Sequence, residues 1–206
     1  MQHSLLGWRP RGGWRQGAGR KRTSRRMPHT SRDPSRNSAF HVTARVFRGL
    51  PSLRSSRIVR SIEQSFRSGC TRPDFRLVHY SIQRDHIHFI VEADDTRALG
   101  RGLRGLLIRV ARAANRVWKR RGAVIAERYH HRLLASPRQV RHAIAYVLHN
   151  ARKHWAGLRP CRGIDPGCSG RWFWGRAQDS PAVARPRSWL LAVGWRRAGP
   201  IPPPQC

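Results

Sequence analysis

Two strand-like runs, Phe75 to Gln83 and Asp85 to Glu92, meet at Arg84-Asp85, and no other stretch constrains the fold as tightly. In the second run Ile87, Phe89 and Val91 alternate with other residues and Ile90 adds β-branched bulk, which is the period-two pattern of a short strand. A tight connection between two such runs predicts an antiparallel hairpin. Side chains two apart on a strand share a face, so His86 and His88 stand side by side. Two neighbouring imidazoles can share one divalent cation. They can equally be polar residues on a strand's wet face, and the pair alone does not decide between the two.

The flanking segments set this hairpin in a larger unit. His41 to Phe47 reads as a strand, with Val42, Ala44 and Val46 alternating, and Gly49, Leu50 and Pro51 break it. Ser55 or Ser56 caps a helix to about Ser68, carrying Ile58, Ile62 and Phe66 at four-residue intervals. After the hairpin, Asp94-Asp95-Thr96 caps a second helix, from Ala98 to about Arg120, with Leu99, Leu103, Leu106, Val110, Ala113 and Val117 facing a core. Gly100, Gly102 and Gly105 weaken its first turns by roughly 1 kcal/mol each against alanine, so packing must hold that end. Residues 123–135 read as an extended segment or irregular hairpin. The succession strand, helix, strand, strand, helix, helix predicts an α+β fold, a ferredoxin-like sandwich with an antiparallel sheet and helices on one face.

Ser136-Pro137 is a strong helix start, and the helix should run to about His154. Val140, Ala143, Ile144, Val147, Leu148 and Ala151 form its apolar face; His142, Tyr146, Asn150 and Lys153 line up opposite. A His-x-His strand and a Tyr-x-x-x-Asn helix can supply complementary chemistry. With an amide oxygen as third ligand beside two imidazoles, the ion of choice on a phosphate is Mg²⁺ or Mn²⁺. A tyrosine oxygen is a usable nucleophile, and its phosphodiester conserves bond energy for rejoining. Tyr80 and Tyr129 fit packing roles better.

The charge balance points to the partner. Of 206 residues, 42 are Lys or Arg against 10 Asp or Glu, for a formal charge of +32, and only Lys21, Lys119 and Lys153 are lysines. Such a field draws polyanions, with counterion release from phosphates as the source of affinity, and arginine forks match phosphate. Three domains are expected: 1–38 a disordered basic arm, 39–156 the catalytic unit, and 157–206 an extension rich in Gly, Pro, Arg and Trp. Arg20 and Lys21 in the arm, with Arg101, Arg104, Arg112, Arg116, Lys119 and Lys153 on the helices, are the expected DNA contacts. The tryptophans of the extension are expected to pack onto the main domain more than to stack on bases. Cys70, Cys161, Cys168 and Cys206 form no zinc spacing. With neither a secretory signal nor a membrane span in view, a reducing, cytoplasmic, nucleoid-associated setting is expected.

At His86-Ile87-His88 and Tyr146-Val147-Leu148-His149-Asn150 the chain resembles the single-tyrosine HUH transposases, in particular their REP-associated branch. The likeness spans about residues 41–155 and also reaches the glycine-arginine arm and the Trp189 to Gly199 tail of some relatives. It implies that His86 and His88 bind the metal, that Tyr146 attacks single-stranded or hairpin DNA to form a 5′-phosphotyrosine link, and that Asn150 completes the metal site. Two positions depart from the pattern: Asp85 stands where many relatives have asparagine before the first histidine, and Ala151-Arg152 where many have Pro-Val. Asp85 could hydrogen-bond to the site or add charge to it. Monomer and homodimer both stay open, as does whether Tyr146 serves its own chain's histidines. The rival readings are a noncatalytic, domesticated DNA- or RNA-binding protein and a carboxylate nuclease drawing on Asp74, Asp85, Glu92, Asp94, Asp95 and Glu127.

Overall fold

Alternating apolar residues build the sheet, and its connections follow from where the helices must pack. The computed structural model describes residues 37–126, 128–154 (side chains of 151–154 excepted) and 163–204, all within the unit Asp33–Cys206. Its strands are β1 (Ser38–Arg45), β2 (Thr71–Arg72), β3 (Phe75–Ile82), β4 (His86–Ala93) and β5 (His130–Leu134). They form one antiparallel sheet in the order β2-β3-β4-β1-β5. With helices α1 (Ser56–Arg67) and α2 (Thr96–Val117) as the two crossovers, this is the ferredoxin-like arrangement. β1 begins three residues before the expected start, because Ser38 still pairs with Ala93. The ambiguous 123–135 stretch closes the sheet: β5 pairs along β1, from Ala39 opposite Leu134 to Thr43 opposite His130.

Both crossover helices start where their caps predict. Ile58 N donates to Ser55 Oγ and Ala98 N to Asp95 Oδ1, which satisfies amides a helix start leaves open. Ile58, Ile62 and Phe66 of α1, with Leu99, Leu103, Leu106 and Val110 of α2, are buried against Val42, Ala44, Ile87, Phe89 and Val91. Each such side chain contributes roughly 1.5–3 kcal/mol by leaving water. Gly102 has a packing reason: a Cβ there would lie 2.2 Å from the Phe75 ring. The helix approaches the sheet where only hydrogen fits.

The remaining long helix, α3 (Pro137–His154), takes the opposite face of the sheet. Val140, Ile144 and Val147 bury against Ala39, Val78, Ile90 and Leu134, and Leu191, Trp195 and Ile201 from the C-terminal region join the same cluster. The segment 163–204, with short helices α4 (Gly170–Phe173) and α5 (Trp189–Ala192) and a 3₁₀ turn at Gly194–Ala198, therefore packs onto this face. It also covers the free edge of β3, where Ile82 N donates to Gly167 O and Ser169 N to Tyr80 O. Three of the few acids clamp it. Asp165 accepts two hydrogen bonds from Arg54, at 2.8 and 2.7 Å. Glu63 accepts from Tyr80 Oη and Arg171, and Glu92 accepts from the Arg187 and Ser188 amides and the Ser188 hydroxyl. Buried carboxylates persist only with such partners.

Candidate active site

The period of β4 sends Ile87, Phe89 and Val91 to the α1/α2 core and turns His86 and His88 toward α3. Each imidazole is held by its Nδ1 atom. His86 Nδ1 lies 2.7 Å from Asp85 Oδ1, and His88 Nδ1 lies 3.0 Å from the hydroxyl of Thr43, its register partner on β1. The hydrogen bond from His86 holds the Asp85 carboxyl below its ordinary value. The carboxylate is therefore acceptor-only, Nδ1 carries the proton, and the Nε2 lone pair of a neutral His86 points away from Asp85. The two Nε2 atoms converge to 3.1 Å. Two nitrogens bound to one ion at ~2.1 Å stand ~3.0–3.4 Å apart across octahedral to tetrahedral angles, so the pair fits a shared cation.

α3 brings the other half. The Tyr146 ring meets His88 edge to face, with centroids 5.1 Å apart. One turn on, Asn150 is 1 % exposed, and among the described residues neither amide atom has a hydrogen-bond partner. An unpaired buried amide costs roughly 1–3 kcal/mol, and a ligand role for its oxygen would remove that cost. Asn150 had been expected on an exposed stripe. The structure buries it instead, on a helix that packs against both the sheet and the C-terminal segment. No group of three His, Cys, Asp or Glu among the described residues is arranged to hold a metal, so a protein-only cage would need the amide.

Sequence reasoning missed His41. It lies on β1 opposite Ile90, on the α3 side, with its ring 5.3 Å from His88 and 5.7 Å from Tyr146. The signal was available: if Val42 and Ala44 face the core, His41 and Thr43 share the other face with His86 and His88. Burial, and then the Arg132 guanidinium, hold His41 below its ordinary value. A cavity of about 270 Å³ opens beside Tyr146, lined by His41, Arg132, Gln139 and His142 among others. His142 thus joins Tyr146 as its spacing on the helix predicted.

The basic residues form an exposed surface on α2, as their spacing predicts, and that surface stands apart from Tyr146. Arg101, Arg104, Arg112, Arg116 and Lys119 are exposed on or just after α2, the helix that packs on the sheet face away from Tyr146. They do not flank Tyr146, because the apolar stripe of α2 is committed to the other core. Arg101 is also paired with Asp74 at 2.6 Å. Arg20 and Lys21 lie outside the described residues, as does the side chain of Lys153. The acids weighed for a carboxylate nuclease are dispersed: Glu92 holds the 187–188 backbone, Asp95 caps α2, Asp74 pairs with Arg101, and Glu127 is not described. Trp172 and Trp174 donate their indole N–H groups to Asp179 O and Ile201 O, and Trp195 is in the core.

Fold and cluster together define an α+β protein whose ferredoxin-like sheet presents a His-x-His pair to a tyrosine-bearing helix. Among solved structures the chain is similar to a REP-associated tyrosine transposase bound to a REP hairpin. The two are 15% identical with a TM-score of 0.47, over 62% of this chain and 74% of that one. It is also similar to a protein described as a "putative transposase" from Deinococcus radiodurans R1, at 13% identity and TM-score 0.41, over 48% of this chain and 80% of that one. No protein-family model matches the sequence, and no curated protein matches it significantly.

Proposed function

We propose that the chain is a divalent-metal-dependent endonuclease and strand transferase for single-stranded or hairpin DNA, working through a 5′-phosphotyrosine intermediate on Tyr146. One observation carries the reading: two imidazole Nε2 atoms 3.1 Å apart share a sheet face with a tyrosine ring 5.1 Å from the second imidazole. The net charge of +32 supports a polyanionic substrate.

His86, His88 and Asn150 would hold Mg²⁺ or Mn²⁺, and Asp85 and Thr43 orient the two imidazoles toward that position. The bound ion would polarise the phosphoryl group and offset the charge that develops on it. Tyr146 Oη forms the new bond to phosphorus as the bond from phosphorus to O3′ breaks. The phenolic proton leaves into the cavity that His41 and His142 also line, and the departing O3′ takes up a proton to become a free 3′-hydroxyl. A 3′-hydroxyl attacking the tyrosyl ester reverses the exchange: the strand is joined and Tyr146 recovers its proton.

The test is incubation of the protein with hairpin-bearing single-stranded oligonucleotides and Mg²⁺ or Mn²⁺, followed by denaturing electrophoresis. An adduct that resists SDS and disappears in Tyr146→Phe supports the proposal. An adduct that persists in Tyr146→Phe overturns the assignment of the nucleophile. Absence of adduct from every strand tested favours the noncatalytic binding protein.

A further inference from the structure

The arginines of α2 stand on the face away from Tyr146, and the structure offers a route between the two. Between α2 and the segment before β5 runs a groove of about 850 Å³. Arg97, Arg101 and Arg104 line it from the helix, and Arg128 and Tyr129 from the other wall. All four arginines are exposed, and Arg101 keeps its pairing with Asp74. Leu107, Ile108 and Val124 give it an apolar floor. Cationic walls, an aromatic ring and an apolar floor match a chain of phosphates and bases.

β5 links this groove to the candidate active site. Residues 128–129 line the groove, while Arg132 and Leu134 line the cavity beside Tyr146. Alternation along the strand places the two sets. His131 packs toward Phe40, on the α1/α2 side. His130, Arg132 and Leu134 stand opposite Thr43, His41 and Ala39, on the α3 side. β5 is the last strand of the sheet, and His130, His131 and Arg132 are exposed. Five residues of strand cover about 17 Å, the reach of a few nucleotides.

We propose that single-stranded DNA crosses the β5 edge of the sheet, from the cavity at Tyr146 to the α2 groove, where arginines hold its phosphates and Tyr129 stacks on a base. The inference builds on the proposed function by naming where the strand beyond the nucleophile is held. It assigns Arg97, Arg128 and Tyr129, none of which stood out in the sequence as a DNA contact. Tyr129 is a specificity-neutral platform, because every base has a face to stack.

The experiment measures binding of fluorescein-labelled oligo(dT), 24 nucleotides long, to full-length protein by anisotropy, in a Tyr146→Phe background with EDTA so that no covalent chemistry contributes. Arg97→Gln with Arg104→Gln should weaken the 24-mer about tenfold or more and lower the salt slope by about 1.4, the value expected for two single-strand phosphate contacts. The control pair Arg112→Gln with Arg116→Gln, on the same helix but outside the groove, should change binding by less than about threefold. Tyr129→Leu should weaken the 24-mer about tenfold, with Tyr129→Phe restoring it. Gly100→Leu crowds the groove without removing a charge, the atom nearest a Cβ there being Tyr129 Oη at 3.8 Å; it too should weaken the 24-mer. The proposal is overturned if groove and control pairs weaken binding equally, or if Tyr129→Leu leaves binding unchanged. Because nothing here depends on an adduct, failure of the tyrosyl chemistry and failure of the groove are read separately.

Discussion

His88 and Tyr146 pack edge to face, with ring planes 80° apart and centroids 5.1 Å apart, although one sits on a strand and the other on a helix far along the chain. β4 and α3 make this contact within one chain. His41 completes a triangle of rings, packing against both. The tyrosine is therefore half-buried and oriented rather than free on a helix surface, which favours a defined approach of its oxygen to a bound phosphodiester.

Tyr146→Phe keeps the ring and removes only the oxygen. Adduct formation should fall on the order of a thousandfold or more, while binding of a single-stranded oligonucleotide stays within about twofold. A denaturing gel and an anisotropy titration on the same preparation check both halves.

His86→Ala and His88→Ala should each abolish Mn²⁺ binding measured by calorimetry, since each removes one of the two converging Nε2 atoms. Asp85→Asn and Thr43→Val leave both ligands in place but loosen the rings. Losses of about 10–100-fold in Mn²⁺ affinity are expected from each.

Acid should destabilise the fold through His79. This ring is buried against Phe173, with Nδ1 3.3 Å from Ser169 Oγ, and burial pushes its pKa down to about 4. Its folded value lies below the unfolded value of about 6.5, so the unfolded state takes up the proton first. The contribution is complete above pH ~6.5 and is lost as pH falls from there toward 4, up to about 3 kcal/mol in all. Urea midpoints across that window should decline in the wild type and be flatter in His79→Gln.

Gly102→Ala and Gly100→Ala should move stability in opposite directions. The methyl at position 102 would collide with Phe75, at a net cost of about 1–3 kcal/mol. At position 100 the nearest atom is Tyr129 Oη at 3.8 Å, so the helix gains about 0.5–1 kcal/mol. Thermal melts of the two variants distinguish packing from propensity.

Local pattern was enough to place the hairpin, the caps at Ser55, Asp95 and Ser136, and the side-by-side histidines, because strand and helix periods are properties of adjacent residues. The alignment of His142, Tyr146 and Asn150 on α3 was legible for the same reason. Pairing partners were not. His41 joins Tyr146 only because β1 lies beside β4, and the His130 to Leu134 stretch becomes an edge strand only because β1 has a free side for it to pair with.

Periodicity says which residues share a face but not which face a helix covers. That choice rests on burial summed over the whole chain. The apolar stripe of α2 joined the α1 core, which carried its arginines away from the tyrosine. The C-terminal segment then packed against α3. The order of chemical groups along the chain made a His-x-His and tyrosine site conceivable; the packing of two sheet faces decided that His86, His88 and Tyr146 meet on one of them and that the α2 arginines stand on the other.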